Sequence, residues 1–468
     1  MAGPALLWLH RELRLQDNPA LAAAVAFGRP LVVAFILDEV TPGAWAAGGA
    51  ARWWLHHSLA ALAGDLAARG MALTLRRGRI SEELPRLARE TGAAEIHAGV
   101  PVEPWARQAV AALDCGVPLH LHDTTTLFPP DAIRTGGGSP YGVFTPFARA
   151  CHARDVQPPR QAPARILAAP PPASDALASW RLLPRRPDWA GGLRATWQPG
   201  EAGAQERLRR FAADALGDYA TARDRPGIAG TAMLSPHLHW GEVSPAAAWH
   251  AADGGGAGAA SWRNELLWRE FSAHLLWHHP ELPEQPLRRQ FAAMPWRSDP
   301  DALTAWRHGQ TGVPIVDAGM RQLWQTGWMH NRVRMIVASF LVKHLLLGWQ
   351  DGAAWFWDTL VDADLASNSA SWQWVAGCGA DAAPFFRIFN PVLQGAKFDA
   401  DGAYVRRWVP ELAKLPDRML HAPWTTGPLD LAAAGVRLGA TYPQPIVDLA
   451  AGRARALAAF ARVTAARA

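Results

Sequence analysis

The chain has 468 residues, a length that predicts more than one domain. Hydrophobic residues make up 50% and charged residues 19%, which excludes a disordered chain, and the formal net charge of +5 does not by itself predict nucleic-acid binding. Three widely spaced cysteines fit neither a disulfide framework nor a metal-ligand pattern, so we expect no metal and a reducing, cytoplasmic location.

The first 125 residues alternate short apolar runs with amphipathic stretches. We predict strands at 5–9, 30–37, 71–75, 94–98 and 118–122, and helices at 19–27, 50–69, 82–91 and 103–113. This alternation predicts an α/β domain with a parallel sheet covered on both faces. Arg11, Arg14 and Asp17 follow the first strand where dinucleotide-binding folds carry glycines, so we predict a Rossmann-like sheet without the GxGxxG fingerprint. The N-terminus enters the first strand directly, and we expect no secretory leader.

The remaining chain changes character twice. Residues 126–200 are rich in proline and glycine, which predicts an interdomain linker draped over the surface. From residue 201 to 468 helical periodicity dominates, and it predicts helices at 201–215, 245–252, 260–278, 316–326, 331–347 and 353–360. The apolar stretch 335–347 is broken by Lys343 and His344 and is too short and too polar for a membrane span.

The predicted helix 260–278 carries aromatic and charged residues on one face. Helical geometry brings Trp262, Glu265, Trp268 and Arg269 together there. Such a face suits a flat heteroaromatic partner, because rings stack on it and ions hydrogen-bond its edge. The alternative is a buried helix with an internal ion pair.

A second polar group lies at the start of the predicted helix 331–347. Asn331 and Arg334 share one face with Met335, while Arg332 points away. A buried Arg334 needs an acid or a ligand phosphate, and Arg332 is free to serve solvent or a phosphate backbone. The alternative is two solvated arginines.

Paired acids and a further helix follow. Asp362 and Asp364 can both contact the edge of one ligand only if they lie at a helix end or turn. The alternative interpretation is that these acids only cap a helix. Just beyond them, Asn368 and Trp372 share a face, and Trp374 points elsewhere.

Two weaker signals accompany these groups. The turn at 230–236 offers hydroxyls and backbone N–H groups suited to phosphate, although most such turns are ordinary caps. The chain also holds 24 tryptophans against 4 tyrosines. Close indoles can relay an electron, and Trp296, Trp349 and Trp372 are candidates, but core packing is the default explanation for any one of them.

Four segments carry a resemblance to a known family. They read WxxELLWREF at 262–271, MHNRVRM at 329–335, DADLASNSASWQW at 362–374 and DAAPFFRIFNP at 381–391. With the runs at 8–19 and 141–147 and the segment at 442–447, they resemble the DNA photolyase and cryptochrome family, most like bacterial cyclobutane pyrimidine dimer photolyases of class I or III. The similarity runs over most of the chain.

The resemblance implies an α/β domain at 1–125, a linker at 126–200 and a helical domain at 201–468 that binds FAD and DNA. The FAD contacts that it implies are Tyr219, Thr231, Ala232, Met233, Leu234, Ser235, Trp262, Arg269, Asn331, Arg334, Asp362, Ala363, Asp364 and Asn368. Ala232 and Met233 stand where serine and arginine are common in the family, so only backbone contacts carry over there. A second, antenna chromophore, a folate, deazaflavin or flavin, stays unassigned.

The resemblance also implies a lesion pocket and a DNA-binding surface. The residues implied to act on the flipped dimer or beside the flavin are Glu265, Trp268, Asn331, Asn368 and Trp374. The residues implied to contact DNA are Arg223, Glu265, Trp268, Arg332, Arg387, Gln394 and Lys397. Trp372, Trp349 and Trp296 match the photoreduction chain, in order from flavin to surface. The implied partner is UV-damaged DNA, and the implied state is a monomer without a membrane.

The reaction implied is blue-light-driven electron transfer from reduced FAD to a flipped cyclobutane pyrimidine dimer. Asn368 favours repair, because plant cryptochromes carry aspartate and animal cryptochromes often carry cysteine at this position. The alternative is a cryptochrome-type photoreceptor, which the lack of a long charged tail makes less favoured. A third hypothesis is a flavoprotein or DNA-binding module without light chemistry.

Overall fold

The structure is a computed structural model that describes residues 3–382 and 386–465. The chain divides into two compact units. The first unit comprises the chain up to Gly217 with Ala232–Pro280 and Val361–Ser367, and the second comprises Asp218–Thr231, Glu281–Leu360 and the chain from Asn368 onward. The domain boundaries at residues 125 and 200 stay a prediction.

Strands and helices alternate at the start of the first unit. In chain order they are β1 (Ala5–Leu9), α1 (Pro19–Ala26), β2 (Leu31–Leu37), α2 (Gly49–Ala67), β3 (Leu73–Arg77), α3 (Ile80–Thr91), β4 (Glu95–Gly99), α4 (Pro104–Ala111) and β5 (Leu119–His122). All five predicted strands are present, and β3 begins two residues later than its apolar run suggests.

The later elements are helical. They are α5 (Phe144–His152), α6 (Gly191–Thr196), α7 (Glu201–Asp214), α8 (Tyr219–Ala222), α9 (Ser235–His239), α10 (Pro245–His250), α11 (Gly256–His278), α12 (Pro300–Arg307), α13 (Pro314–Thr326), α14 (Asn331–Ser339), α15 (Trp349–Thr359), α16 (Leu365–Ala376), α17 (Pro391–Phe398), α18 (Ala403–Trp408), α19 (Asp417–Leu420), α20 (Pro428–Ala433) and α21 (Leu449–Ala465). None of the described helices is long and apolar enough to cross a bilayer.

The strands form one parallel sheet in the order β3-β2-β1-β4-β5. In register, Leu7 of β1 lies opposite Val33 of β2 on one side and His97 of β4 on the other. The chain builds outward from β1 in both directions, so β1 and β4 form the point at which the strand order reverses. The prediction of an α/β domain with a parallel sheet is therefore confirmed.

Continuous apolar runs explain why this sheet is covered on both faces. Every residue of β1 and β2 is buried. Leu6 and Trp8 pack with Ile36 in one core cluster, and Leu84 and Leu87 of α3 belong to the same cluster. Burial of such side chains stabilises the fold by about 1.5–3 kcal/mol each.

Polar groups fix the loop after β1. Asn18 caps α1, since its side-chain oxygen accepts from the Leu21 N–H at 3.0 Å. The Arg14 guanidinium is buried and donates to the carbonyls of Asp17, Thr124 and Gly241 at 2.7–3.1 Å. Arg14 therefore ties the loop to two other segments of the first unit.

One predicted helix is shorter than the sequence suggests. Residues 331–347 read as a single helix, but α14 ends at Ser339 and continues as a wider π-type turn over Phe340–Leu345. Lys343 in this turn is fully buried, and its Nζ donates to the Ala376 carbonyl at 2.8 Å. This hydrogen bond favours the wide turn, because it gives the buried amine of Lys343 an acceptor, the carbonyl of the last residue of α16.

Candidate functional site

In the first unit, the turn at 232–234 leads into α9. Thr231, another predicted contact of this turn, belongs to the second unit. Ala232 and Leu234 are buried, and Met233 adopts a left-handed φ of 50°. A non-glycine residue in that conformation is uncommon. Ser235 is the first residue of α9, so the predicted phosphate turn leads directly into the N-terminus of a helix.

Helix α11 holds four of the predicted site residues. Trp262 is buried, donates from Nε1 to the Ala248 carbonyl at 2.7 Å, and packs on Phe211 with a ring separation of 4.5 Å. Glu265 and Trp268 are only partly buried. The helix thus combines a packed core face with a partly open polar and aromatic face.

Trp268 has an aromatic neighbour that the sequence did not predict. The Phe144 ring stacks on it with centroids 3.6 Å apart and an interplanar angle of 6°. Phe144 begins α5, within the segment 141–147, and Phe147 of the same helix packs on Phe271. The stack fixes the plane of the Trp268 ring.

Arg269 holds the segments around it in place. Its Nη1 donates to the Thr125 carbonyl at 2.6 Å, and its Nη2 donates to the Leu238 carbonyl at 3.4 Å. Beside it, buried Glu270 accepts from the N–H groups of Leu127 and Phe128. Burial raises the pKa of Glu270 to about 7, against the opposing charge of Arg269.

Glu270→Gln is expected to flatten the pH dependence of stability. Because the folded-state pKa lies above the unfolded value of 4.5, the contribution of Glu270 is full below pH 4.5 and is lost as pH rises through 7. This amounts to about 3 kcal/mol at most. Thermal unfolding between pH 5 and 8 measures it. Glu284→Gln, a change on the exposed surface, is the control, and an unchanged pH profile in Glu270→Gln contradicts the assigned role of Glu270.

The paired acids lie at the start of α16, as predicted. Asp364 accepts from the Ser367 N–H at 2.8 Å, so it does cap this helix. Although burial raises its pKa, the hydrogen bond from His239 and the nearby Arg269 charge hold the pKa of Asp364 below its usual range. Asp362 and Ala363 are buried just before it.

In the second unit, α16 continues with Asn368, Trp372 and Trp374. The Asn368 amide donates from Nδ2 to the Ala353 carbonyl at 3.1 Å, which leaves its oxygen as an acceptor. Trp374 is partly buried, and its Nε1 donates to the Asp381 carbonyl at 3.2 Å. Residues 383–385 of the motif at 381–391 lie outside the described residues.

Gln373 anchors this helix. The side chain is fully buried, donates to the carbonyls of Leu282 and Gln285 at 2.7 Å, and accepts from the Leu287 N–H at 2.8 Å. Both N–H groups of this amide are thus used, and its oxygen also accepts a contact from the Cys378 thiol at 3.8 Å. Trp372 and Trp374 on either side therefore stand on a rigid support.

The three candidate tryptophans differ in burial. Trp372 and Trp349 are each 2% exposed, whereas Trp296 is partly exposed. Trp372 packs closely: a Cβ added to Gly352 would lie 2.1 Å from its ring, and the Trp306 ring centroid lies 6.2 Å away. Trp296 is thus the most exposed of the three, and both their order and the pathway stay a prediction.

Helix α14 opens with His330 as its cap and Asn331 exposed. Burial lowers the pKa of His330 to about 4, so the ring is neutral. Its Nδ1 accepts from the Arg332 N–H, which places the ring proton on Nε2. Arg334 donates to the Met329 carbonyl at 2.8 Å.

The predicted DNA contacts include two cations around one ring. Arg332 lies 4.4 Å and Lys397 lies 5.1 Å from the Phe398 ring centre. Arg332 also pairs with Asp224 at 2.7 Å. The remaining predicted contacts of this unit are Arg387 (exposed), Gln394 (partly buried) and Arg223 (partly buried).

These side chains fit FAD by their chemistry. A flavin dinucleotide offers ring N–H donors, carbonyl acceptors and two phosphates, and the predicted contacts supply carboxylates, amides, hydroxyls and arginine. The buried Nε2 of His330, next to Asn331, has no hydrogen-bond partner among the described residues. A buried donor of this kind is expected to have a partner when a ligand is bound. Within the described residues, no group of three or more His, Cys, Asp or Glu side chains is arranged to hold a metal ion.

Comparisons with known proteins agree with this chemistry. A family model described as DNA photolyase matches residues 5–164, and one described as the FAD binding domain of DNA photolyase matches residues 262–462. The chain is 49% identical to a protein of Agrobacterium fabrum named deoxyribodipyrimidine photo-lyase, over 98% of each chain.

Two further similarities bear on function. The chain is 36% identical to Cryptochrome-1 of Arabidopsis thaliana, over 97% of this chain and 69% of that protein. Its fold matches the crystal structure of a bacterial class III photolyase from Agrobacterium tumefaciens with a TM-score of 0.96 and 48% identity, over 99% and 98% of the two chains.

Proposed function

Because the chain belongs to the DNA photolyase and cryptochrome family, we propose that it is a deoxyribodipyrimidine photo-lyase that repairs cyclobutane pyrimidine dimers in DNA under blue light. The observation that carries the proposal is the 49% identity, over 98% of both chains, to a protein of that name. UV-damaged DNA is the proposed partner and the cytoplasm the proposed location.

FAD is the cofactor. When bound, reduced and excited by light, it supplies the electron that opens the cyclobutane ring and recovers it afterwards. The fourteen contacts implied by the resemblance are proposed to hold it, with Arg269, Arg334, Asp362 and Asp364 as the charged members. Asn368 is proposed to lie beside the flavin nitrogen N5 with its amide oxygen available as an acceptor, while one N–H of Nδ2 donates to the Ala353 carbonyl.

The lesion is proposed to meet aromatic and polar side chains. Trp268 and Trp374 supply flat apolar walls, while Glu265 and Asn331 hydrogen-bond the base edges. A dimer is already poorly stacked, so its extrusion from the duplex costs less than that of an intact base pair; the general account of base flipping names photolyases as an example. Both rings are restrained, Trp268 by Phe144 and Trp374 by Asp381.

Positive side chains are proposed to hold the DNA backbone. Arg332 and Lys397 lie at one ring, and Arg387 and Lys397 are exposed. A phosphate is expected to compete with Asp224 for Arg332. Because phosphate contacts release counterions from DNA, DNA binding is expected to weaken as salt concentration rises.

A photoreceptor is the second candidate, and the identity to Cryptochrome-1 favours it. The two functions differ in their product. A photoreceptor changes a partner's binding in light and splits few dimers, whereas the proposed enzyme splits them.

Purification in the dark followed by an absorption spectrum tests the cofactor assignment. We expect flavin absorption, and the same spectrum identifies the flavin's redox form and any second chromophore. A well-folded protein without flavin absorption contradicts the proposal.

A further inference from the structure

A cleft lies at the carboxyl ends of β1 and β4, where the strand order reverses. It is a narrow cleft that is partly open to solvent. Ligands of open α/β sheets often bind at such a point. Here, charged and imidazole groups enter the cleft from five segments of the first unit; its lining includes His10, Arg11, Glu103, His239, Arg269 and Asp364.

Four of these side chains form a continuous chain. Arg11 Nη2 lies 2.7 Å from Glu103 Oε1, and Arg11 Nη1 contacts the imidazole of His239, 3.2 Å from its Nδ1 and closer to its Nε2. On its other side, His239 Nδ1 lies 3.5 Å from Asp364 Oδ2. Glu103 is 6% exposed and His239 5%, so water does not replace these contacts.

The protonation of His239 follows from its neighbours. An arginine nitrogen only donates, so we assign Nε2, the ring nitrogen nearer to Arg11, as the acceptor. The proton then lies on Nδ1, directed at the Asp364 carboxylate, and the ring is neutral. Burial and then the Arg11 charge lower the pKa of His239, against the opposing effect of Asp364, which agrees with a neutral ring.

We propose that His239 is a positioning residue, a neutral hydrogen-bond bridge that fixes the Asp364 carboxylate for FAD. The proposal rests on the proposed function, since only there does Asp364 contact FAD. Arg11 and Glu103 set the ring's proton, and the Ser367 N–H holds the other carboxylate oxygen at 2.8 Å. The carboxylate is thus held at both oxygens, while 27% of the side chain stays open to a ligand.

The charged groups of the cleft determine whether His239 is protonated. Glu103 and Asp364 are anionic, Arg11 is cationic, and His10, Glu12 and Arg269 are the other titratable or charged groups of the cleft. With Arg11 present, burial and the Arg11 charge both favour the neutral ring of His239. Without Arg11, the charges of Glu103 and Asp364 are no longer opposed, and the ring is expected to take up a proton more readily as pH falls.

Release of FAD from the dark holoprotein, followed by the rise in flavin fluorescence after dilution, tests the bridge. His239→Ala is expected to release FAD about tenfold faster, as for loss of one charge-assisted hydrogen bond. His239→Gln, whose amide also accepts and donates, is expected to stay within about threefold. His274→Ala is the matched control, because His274 is a buried ring that bridges the Pro130 carbonyl and the Tyr141 N–H away from the cleft.

Arg11→Met supplies the second readout. Between pH 5 and 8, FAD release is expected to depend more strongly on pH in this variant than in the parent protein, because the variant's ring takes up a proton more readily as pH falls. Equal release by the parent protein, His239→Ala and His239→Gln overturns the proposal. Equal losses in both His239 variants also overturn it, because a merely structural ring explains that result.

The assay separates this inference from the proposed function. If the protein repairs dimers and His239→Ala releases FAD like the parent, the bridge is wrong and the function stands. If FAD release depends on His239 as described and no dimer is split in light, the bridge stands and the function is wrong.

Discussion

Trp349→Phe is expected to abolish photoreduction of oxidised flavin and to leave repair by pre-reduced protein unchanged. Trp349 is 2% exposed, at the first position of α15, and is proposed to relay an electron between Trp296 and Trp372. Phenylalanine keeps most of the volume, so packing survives, but its ring is far harder to oxidise. Flavin absorption under blue light with an external reductant measures the first effect, and dimer splitting after chemical reduction measures the second.

Trp357→Phe is the matched control for this experiment. Trp357 lies on the same helix and is also largely buried, but is not part of the proposed chain. It is expected to photoreduce normally. Unchanged photoreduction in Trp349→Phe shows that the electron travels by another route.

Trp268→Ala is expected to weaken binding of dimer-containing DNA by about 10- to 100-fold, since stacking of a base on an aromatic side chain contributes roughly 1–3 kcal/mol. Blue-light repair at low DNA concentration falls with it. FAD is expected to stay bound, because Trp262 and Arg269 keep their own contacts within the first unit. Titration with a labelled dimer-containing oligonucleotide measures the loss.

Trp277→Ala controls for loss of a tryptophan from α11. Its ring packs under Arg107 at 3.6 Å and is not among the proposed lesion contacts.

Glu265→Ala is expected to lose repair while retaining flavin, like Trp268→Ala. Full repair by both the Trp268 and Glu265 variants refutes the assignment of the lesion pocket.

Local patterns explain what the sequence predicted well. The strands β1 and β2 are unbroken apolar runs, and such runs belong to a sheet covered on both faces. Asp364 was predicted at a helix end, and the structure shows it capping α16. These features depend on residues a few positions apart, so their spacing carries the information.

Contacts between residues far apart in the sequence could not be predicted from local patterns. Phe144 and Trp268 stack although 124 positions separate them, and Arg11 meets His239 across 228 positions. The π-type turn at Phe340–Leu345 also depends on a distant residue, because the buried amine of Lys343 donates to the Ala376 carbonyl. No periodicity within one segment records such pairings.

The most direct test of the central claim is a count of cyclobutane dimers in a UV-irradiated oligonucleotide mixed with the chemically reduced holoprotein. Half the sample stays dark and half receives blue light. We predict that dimers disappear only in the illuminated half, with intact pyrimidines restored. Equal dimer content in both halves, with FAD bound and DNA captured, would contradict repair.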